Sequence, residues 1–474
     1  MKRYIKGTDR ETLCFPQRLE DYIEEDNPVR VVDLFIESLD LAALGFKRIP
    51  PSPRGAPCYH PAVLLKIYVY SYLNREQSGR RLERECRVNV EMMWLTGKLS
   101  PDHKTITDFR KDNGAAIIQA CRRFEQVFGP LKLIDPCAPV AIDSSKFKAN
   151  NNRDRNFTEA KMAKRLGGIE KRIARYLAEL DEADRWEAAR VEAQQKRIAQ
   201  MQAEHERLKA LEQRLQLMPD KQLSLTDPDC RSMATSSKGS GIVGYNVQTV
   251  VESQHHLIVA HEVTNIGHDR GQLYTMAAQA LEALGGDTLS AVLDKGYYSG
   301  EQIRACEQEG IEVYIAKAQT SGSKKAGRFS KEDFVYEAEG DQYRCPRGAA
   351  LSYSFSTVRA GKTFNVYTTN ACQRCAIKAR CTTGKVRRIK RWEDEAILER
   401  VDKRLERNPE MMKLRRQTVE HPFGTLKFWM GSAHFLTTKL TGVRTEMSLH
   451  ILSYNFKRVL NIVGMGALVE LLSA

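Results

Sequence analysis

The stretch LSAVLD at residues 289–294 is a short apolar run that ends on a carboxylate. The stretch PVAID at residues 139–143 has the same form. Apolar runs of about four to eight residues are typical of buried strands. The two stretches therefore predict two buried strands, with Asp143 and Asp294 at the strand ends. Side chains in those two places can face one shared point.

A third acidic residue, Glu420, lies in the stretch RRQTVEHPFGTLK at residues 415–427, which has helical character. Arg416, Glu420 and Lys427 fall near one side of that helix. Carboxylates are the ligands that Mg²⁺ prefers, and two such ions can stabilise both the attacking and the leaving oxygen of a phosphoryl transfer. The three acids therefore predict a two-metal site. Lys295, Arg416 and Lys427 are basic neighbours that can bind phosphate.

The spacing around Glu420 resembles a signature found in one group of bacterial insertion-sequence transposases of the DDE type. In that group the catalytic glutamate lies within the pattern Tyr-x2-Arg-x3-Glu-x6-Lys. Arg416, Glu420 and Lys427 fill the last three places of this pattern. Lys413 stands where the tyrosine is expected, which puts any role of that tyrosine in doubt.

The resemblance covers about residues 59–458. It implies an α/β fold: an RNase H-like catalytic core with an N-terminal all-α domain, a long helical-hairpin insert and a small cysteine-bearing insert. The implied function is that of a DNA transposase, which binds the terminal inverted repeats of its element and catalyses metal-dependent strand cleavage and strand transfer. Asp143, Asp294 and Glu420 would be its catalytic residues and would bind two Mg²⁺ or Mn²⁺ ions. The partners would be double-stranded DNA, both element ends and target, and a second copy of the chain in a homodimer or higher oligomer.

Two other functions fit the same residues. One is an RNase H-like nuclease that cuts DNA without joining it. The other is a non-catalytic DNA-binding protein derived from a transposase. Taken alone, an aspartate after a strand is often a turn residue, and a helical glutamate is often simply solvated. The order Asp143, Asp294, Glu420 with basic residues around the last one favours the transposase.

Composition agrees with a nucleic-acid partner. The 474 residues carry a formal net charge of +14, with a pI near 9.2. An excess of Lys and Arg favours a polyanion such as DNA. The N-terminal residues lack the apolar core of a signal peptide, so we expect a cytoplasmic, nucleoid-associated protein with no membrane partner.

The pattern of elements predicts the domain organisation. Residues 1–135 read as an N-terminal helical domain whose short helices and tight turns suggest a helix-turn-helix type module for DNA. A helical packing or dimerisation domain is the alternative. Residues 136–318 and 392–474 would form the catalytic domain, interrupted by an insert at 319–391. The expected core elements are strands at 245–251, 257–263 and 311–315, and helices at 269–284 and 299–308. Asp269 is expected to cap the first of these helices, and the alternative is that it supports the acidic site from its surroundings.

A long insert at residues 158–217 contains 13 basic and 11 acidic residues. Apolar residues recur at helical and heptad-like spacing, and a turn is expected near Asp181–Asp184. These features predict an antiparallel helical hairpin, with an intermolecular coiled coil as the alternative. Because the charges nearly balance, the insert is not expected to contact DNA.

Eleven cysteines in a chain expected to be cytoplasmic argue against a disulfide framework. Four of them resemble the ligands of a zinc ribbon, because a CPRG turn precedes a C-x2-C-x5-C pattern. The sequence leaves open whether they bind one structural Zn²⁺ or are reduced, partly buried thiols. The four are Cys345, Cys372, Cys375 and Cys381.

A run of basic residues follows these cysteines, with no acidic residue between positions 378 and 391. Such a run predicts a surface that contacts DNA phosphates. A solvated face without a partner is the alternative. The candidate DNA contacts in the run are Arg387, Arg388, Lys390 and Arg391.

Overall fold

The computed structural model describes residues 18–49, 57–181, 188–235, 241–317 and 326–473. The predicted turn at residues 181–184 lies largely outside this part of the chain, and so does the predicted domain boundary at 318 and 319. Within the described ranges, none of the helices combines the length and the apolar character needed to cross a membrane.

The N-terminal region is helical, as predicted. Its central helix begins at Pro61, where the missing N–H of proline costs little, and it is buried along almost its whole length. Asp102 caps another helix by accepting hydrogen bonds from the backbone N–H groups of Lys104 and Thr105, both at 2.8 Å. The helices are α1 (Val29–Glu37), α2 (Pro61–Leu73), α3 (Gly79–Val88), α4 (Val90–Thr96), α5 (His103–Asp112) and α6 (Gly114–Glu125).

Strands and helices then alternate along the chain. β-Branched and other apolar residues dominate the central strands, which are buried on both faces. In chain order the elements are β1 (Val140–Lys148), β2 (Asn156–Thr158), α7 (Glu159–Asp181), α8 (Ala188–Leu217), β3 (Gln222–Ser224), β4 (Arg231–Ala234), β5 (Gly241–Glu252), β6 (Ile258–Thr264), α9 (Leu273–Leu284), β7 (Leu289–Leu293), α10 (Gly300–Gln308) and β8 (Ile311–Ile315).

The main sheet has the strand order β6-β5-β1-β7-β8, with β4 paired to the first residues of β5 on the same side as β6. Strands β6, β5 and β1 are antiparallel to one another, whereas β1, β7 and β8 run parallel. Helix α9 connects β6 to β7, and α10 connects the parallel strands β7 and β8. This is the predicted order: three strands, then helix and strand in alternation.

Two apolar cores cover the two faces of this sheet. On one face, Val140, Ile142 and Val250 pack with α9 and α10. On the other face, Phe147 and Tyr245 pack with the C-terminal helices. Alternate residues of β1 therefore point to different helical layers.

The insert between β1 and β4 is a helical hairpin based on the short β2–β3 pair. The helices α7 and α8 are antiparallel, because residues near the start of α7 pack on residues near the end of α8. Side-chain hydrogen bonds join Gln194 to Glu179 at 3.0 Å and His205 to Glu170 at 2.8 Å. These contacts between α7 and α8 form within one chain.

The second insert forms its own five-stranded antiparallel sheet, in the order β13-β12-β11-β10-β9. The chain then returns to the main sheet through three helices, of which the last breaks at Gly464, where φ is +76°. The elements are β9 (Val335–Glu337), β10 (Gln342–Arg344), β11 (Ala350–Arg359), β12 (Lys362–Thr368), β13 (Ile389–Trp392), α11 (Glu395–Arg407), α12 (Met411–Gly424) and α13 (Lys439–Ser473).

Helix α13 belongs to two cores at once. Its first half, including Met447 and Ile451, packs on the main sheet. Its second half, including Phe456 and Val459, packs among the N-terminal helices. The C-terminal segment therefore joins the helical region to the sheet.

Candidate active site

Asp143 and Asp294 are brought together by the register of two parallel strands. The pairing of β1 with β7 ends at Ile142 and Leu293. Asp143 and Asp294 are the residues that directly follow these two positions. Carboxyl ends of parallel strands are a common location for functional residues. Asp294 follows its strand, as predicted. Asp143 does not end its strand, because β1 continues to Lys148 by pairing with β5.

Asp143 also has a basic partner on helix α12. One Nη atom of Arg415 lies 3.0 Å from a carboxylate oxygen of Asp143. Burial raises the pKa of the Asp143 carboxyl above its usual range, and Arg415 opposes that shift. The charges of Asp294 and Asp269 raise the pKa further. The charges of Asp294 and Asp269 therefore act on the carboxyl of Asp143.

Asp269 is the additional acid, and its position corrects a prediction. Helix α9 begins at Leu273 with Gln272 as its N-terminal cap, so Asp269 does not cap it. Its side chain instead accepts hydrogen bonds from the amides of Asn246 and Gln248, both at 2.8 Å. These two residues alternate along β5, so one face of that strand fixes the orientation of the Asp269 carboxylate.

Gly296 lies between two of these carboxylates. A Cβ atom at this position would be 3.8 Å from an oxygen of Asp269 and 3.8 Å from an oxygen of Asp294. Lys146 is a nearby cation, with its Nζ atom 3.9 Å from Asp269. Burial lowers the pKa of Lys146. Asp269, Asp294 and Gly296 thus lie close together, with Lys146 of β1 beside Asp269.

Glu420 lies on α12, the helix that packs against β1 and β7. Its side chain is exposed, and the described part of the chain gives it no hydrogen bond or ion pair. Across those same residues, no three His, Cys, Asp or Glu side chains are close enough together to hold a metal ion. The structure therefore places Asp143 and Asp294 side by side, with Glu420 on the adjacent helix.

Lys427 reaches the same strand from the π-helical turn Thr425–Trp429. Its Nζ atom donates hydrogen bonds to the hydroxyl of Ser145 at 2.6 Å and to the carbonyl oxygen of Lys146 at 2.9 Å. The next residues, Phe428 and Trp429, are 84% and 68% exposed. Lys427 thus fastens this turn to β1, two residues beyond Asp143.

The other basic candidates differ in exposure. Lys295 and Arg416 are exposed beside Asp294 and Glu420 in sequence. In the basic run, Arg391 is only 8% exposed, and its guanidinium binds Glu399 and stacks 3.7 Å from the ring of Tyr336. The Arg391 guanidinium is therefore engaged in contacts inside the folded protein.

Arg387 also turns inward. It donates hydrogen bonds to the carbonyl oxygens of Cys381 at 3.1 Å and Phe329 at 3.2 Å. Arg388 and Lys390 remain exposed. The exposed basic surface of this insert is therefore smaller than the sequence run suggested.

The four cysteines of the second insert line one cavity of about 370 Å³. None of them forms a disulfide, and each is partly buried. Burial raises the pKa of the Cys381 thiol, and so does the negative charge of the other three. The four thiols therefore line one cavity, although they are separated in sequence, and no three of them are close enough together to hold a metal ion as their side chains stand.

Sequence reasoning missed Arg415 and the amides of β5. The signal for Asn246 and Gln248 is their i, i+2 spacing, which puts two polar side chains on one face of a strand whose other residues are mostly apolar. Arg415 directly precedes Arg416, which the spacing pattern favours as a phosphate-binding residue. The side chain of Arg415, rather than that of Arg416, turns toward Asp143.

Comparisons with known proteins give two family matches. Residues 17–112 match the family described as "Transposase domain (DUF772)", and residues 219–456 match "Transposase DDE domain". The second match includes Asp294 and Glu420 and begins after Asp143.

Among solved structures, the chain resembles a cryo-EM structure of the piggyBac transposase synaptic complex with hairpin DNA. The sequences are 9% identical, the TM-score is 0.25, and the alignment covers 94% of this chain and 85% of that chain. A comparison with curated proteins found no match. Since the DDE domain match spans just over half of the sequence, this chain belongs to the DDE transposase family.

Proposed function

We propose that this protein is an insertion-sequence transposase that binds the terminal inverted repeats of its element, cleaves DNA strands there and transfers them to target DNA. The observation that carries the proposal is that Asp143 and Asp294 each directly follow the paired stretch of β1 and β7, with the helix of Glu420 packed against both strands. The strand order of the main sheet and its parallel half support an RNase H-like catalytic core at residues 136–318 and 392–474.

The donor set fits divalent ions of the hard type. Asp143, Asp294 and Glu420 would hold two Mg²⁺ or Mn²⁺ ions, since carboxylate oxygens are the preferred ligands. When bound, the ions would activate water and stabilise the leaving oxygen of the cleaved strand. The negative charge of Asp294, which raises the pKa of Asp143, supports this assignment, because a cation between the two carboxylates would relieve that effect.

Arg415 and Lys427 have separate tasks in this proposal. Arg415 partly neutralises Asp143 and holds its carboxylate in place through the 3.0 Å ion pair. Lys427 keeps the Glu420 helix and the turn after it against β1 through its hydrogen bonds to Ser145 and Lys146. Both contacts fix the relative positions of two ligand-bearing elements.

DNA contacts are proposed where basic side chains are exposed. Lys295, Arg416, Arg388 and Lys390 are available to backbone phosphates, and Lys427 would reach them only by exchanging its present partners. The helical region at residues 1–135 is proposed to recognise the element ends. Two ends would be held by a dimer or a larger assembly.

The cysteines are proposed to bind one structural Zn²⁺ that holds the insert at residues 319–391 together. Four thiols that line one cavity have the donor chemistry of a tetrahedral zinc site, and they would have to draw closer together to bind the ion. We predict about one zinc ion per chain by elemental analysis of the purified protein. Cys375→Ser should lose the zinc and make residues 335–392 more sensitive to protease.

Cys137 provides the matched control, because it is exposed and lies outside the cluster. Cys137→Ser should retain the zinc and the protease resistance of the wild type. Protein that is purified under reducing conditions and still contains no zinc would contradict this site. The cysteines would then be four reduced thiols.

The function is tested by incubating purified protein, Mg²⁺ and a labelled duplex that carries the sequence flanking its own gene. Wild type should cleave at the repeat end and produce joined strands, and Glu420→Gln should do neither while binding the duplex equally well. Cleavage without joining in the wild type would favour a nuclease. Specific binding with no cleavage by either protein would favour a non-catalytic DNA-binding protein.

A further inference from the structure

A basic groove lies between the base of the helical hairpin and the far ends of β1 and β5. It encloses about 1160 Å³. Its charged lining consists of Lys148 from β1 and four side chains of α7, with no acidic side chain among the described residues that line it. The four from α7 are Lys161, Lys164, Arg165 and Arg172.

These α7 residues share one face of the helix. Their spacing of three, four and seven residues brings them into neighbouring turns on the same side. The apolar residues Met162, Leu166 and Ile169 occupy the side that packs on α8. The near balance of charge across the whole hairpin therefore hides a strongly basic face.

Such a face is unfavourable without a counter-charge. Like charges at i, i+4, such as Lys161 and Arg165, destabilise a helix. The carboxylate of Asp154 lies 4.0 Å from Arg165, but that carboxylate is itself 79% exposed. The lining itself has five basic side chains and no acidic one, so the groove favours an anionic ligand.

Gly168 opens the same face to close approach. It lines the groove, it is exposed, and a Cβ atom built there would meet no atom within 4 Å. Glycine inside a helix costs about 1 kcal/mol relative to alanine. A side chain of any size at this position would project into open space in the groove.

We propose that the basic groove binds the backbone phosphates of duplex DNA that leads to the site of Asp143. The two places lie on one strand, because Lys148 is five residues beyond Asp143 in β1. At about 3.3 Å per residue, their Cα atoms are about 17 Å apart, a span of about five base-pair rises, and a duplex joining them would pass around the far end of β1, because the odd spacing turns the two side chains to opposite faces. The proposal rests on the proposed function, since it assigns a path to the same DNA substrate.

The first test uses Gly168→Glu with Gly168→Gln as its control of the same size. Both variants should melt at the wild-type temperature or slightly above it, because the position is open and both residues favour a helix more than glycine does. Gly168→Glu should bind the end-containing duplex about tenfold or more weakly at physiological salt, since it puts a negative charge against the phosphates. Gly168→Gln should stay within about threefold of the wild type.

A second test measures the salt dependence of DNA binding. The double variant Lys164→Ala/Arg172→Ala should reduce the slope of log affinity against log salt by about two units, one for each lost phosphate contact. Arg207→Ala/Lys209→Ala removes the same charges from exposed positions of α8 outside the groove. That control should leave the slope unchanged.

The outcomes separate the groove from the function as a whole. Wild-type affinity and slope in Gly168→Glu and in Lys164→Ala/Arg172→Ala, with cleavage intact, would overturn the groove and leave the transposase function standing. Loss of binding in the α8 control as well would also overturn it, because the effect would then be one of general charge. A wild-type protein that neither binds nor cleaves the duplex would overturn both proposals.

Discussion

Asp294→Asn is expected to abolish strand cleavage and joining while leaving the protein at least as stable as the wild type. The change removes one anionic ligand from the site but keeps the size and shape of the side chain. We expect activity to fall by about 1,000-fold or more, which corresponds to about 4 kcal/mol of transition-state stabilisation. Cleavage of a labelled element end at increasing Mg²⁺ concentration measures this loss.

The free energy of unfolding of Asp294→Asn should rise slightly or stay unchanged. The Asp294 side chain is exposed and does not cap the short turn after β7, so the substitution breaks no hydrogen bond. It also removes a negative charge that disfavours ionised Asp143. Urea unfolding should therefore give a free energy of unfolding within about 0.5 kcal/mol of the wild type, or slightly above it.

Asp143→Asn provides a contrast within the same site. It should lose activity to a similar degree, but it also breaks the ion pair with Arg415, whose side chain is only 13% exposed. An unpaired, mostly buried guanidinium destabilises the fold. If Asp294→Asn instead keeps activity within tenfold and loses more than about 2 kcal/mol of stability, Asp294 is a structural turn residue rather than a ligand.

The parallel half of the sheet could be predicted closely from sequence. β7 is a short, mostly apolar run bounded by Thr288 and Asp294, so local pattern alone defines its limits. The predicted position of Asp294 was therefore right. For β1 the pattern was misleading, because the strand continues through Ser144, Ser145 and Lys146 by pairing with β5, which is distant in sequence.

The remaining features of the site depend on long-range packing. Whether Arg415 or Arg416 faces the sheet is decided by the rotation of α12, which the packing of Val419 and Phe423 sets. Asp269 was predicted to be a helix cap because its local sequence resembles one. Its true partners are amides on β5, more than twenty residues earlier in the chain.

Charge content was also a poor guide to surface properties. The hairpin insert has almost as many acids as bases, yet one face of α7 collects the bases. The run around Arg391 is strongly basic in sequence, yet two of its guanidinium groups stabilise the insert. In both cases, the direction in which each side chain points decides the electrostatic potential at the surface. Amino-acid composition does not contain that information.

Phe456→Ala is expected to be the most destabilising single substitution in α13. The ring is fully buried and stacks on Phe124 of α6, with ring centroids 5.0 Å apart and planes 21° apart. Truncating a buried phenylalanine costs about 3–5 kcal/mol, because burial is lost and a cavity remains. Chemical unfolding monitored by circular dichroism measures this loss.

Phe428→Ala is the matched control, because it removes the same atoms from a side chain that is 84% exposed. It should change the free energy of unfolding by less than about 0.5 kcal/mol. A loss as large as that of Phe456→Ala would mean that the exposed ring is covered in the folded protein. The contrast between the two variants isolates burial as the cause.

The same variant tests whether α13 couples the two cores. Since Met447 packs on the main sheet and Phe456 among the N-terminal helices, loosening one end of α13 should weaken both regions. Hydrogen exchange in Phe456→Ala should therefore rise in peptides from α2 and also from β5. If exchange rises in α2 alone, the second half of α13 unfolds with the N-terminal helices as a separate unit. Element-end recognition and catalysis would then lie on independently folding parts of the chain.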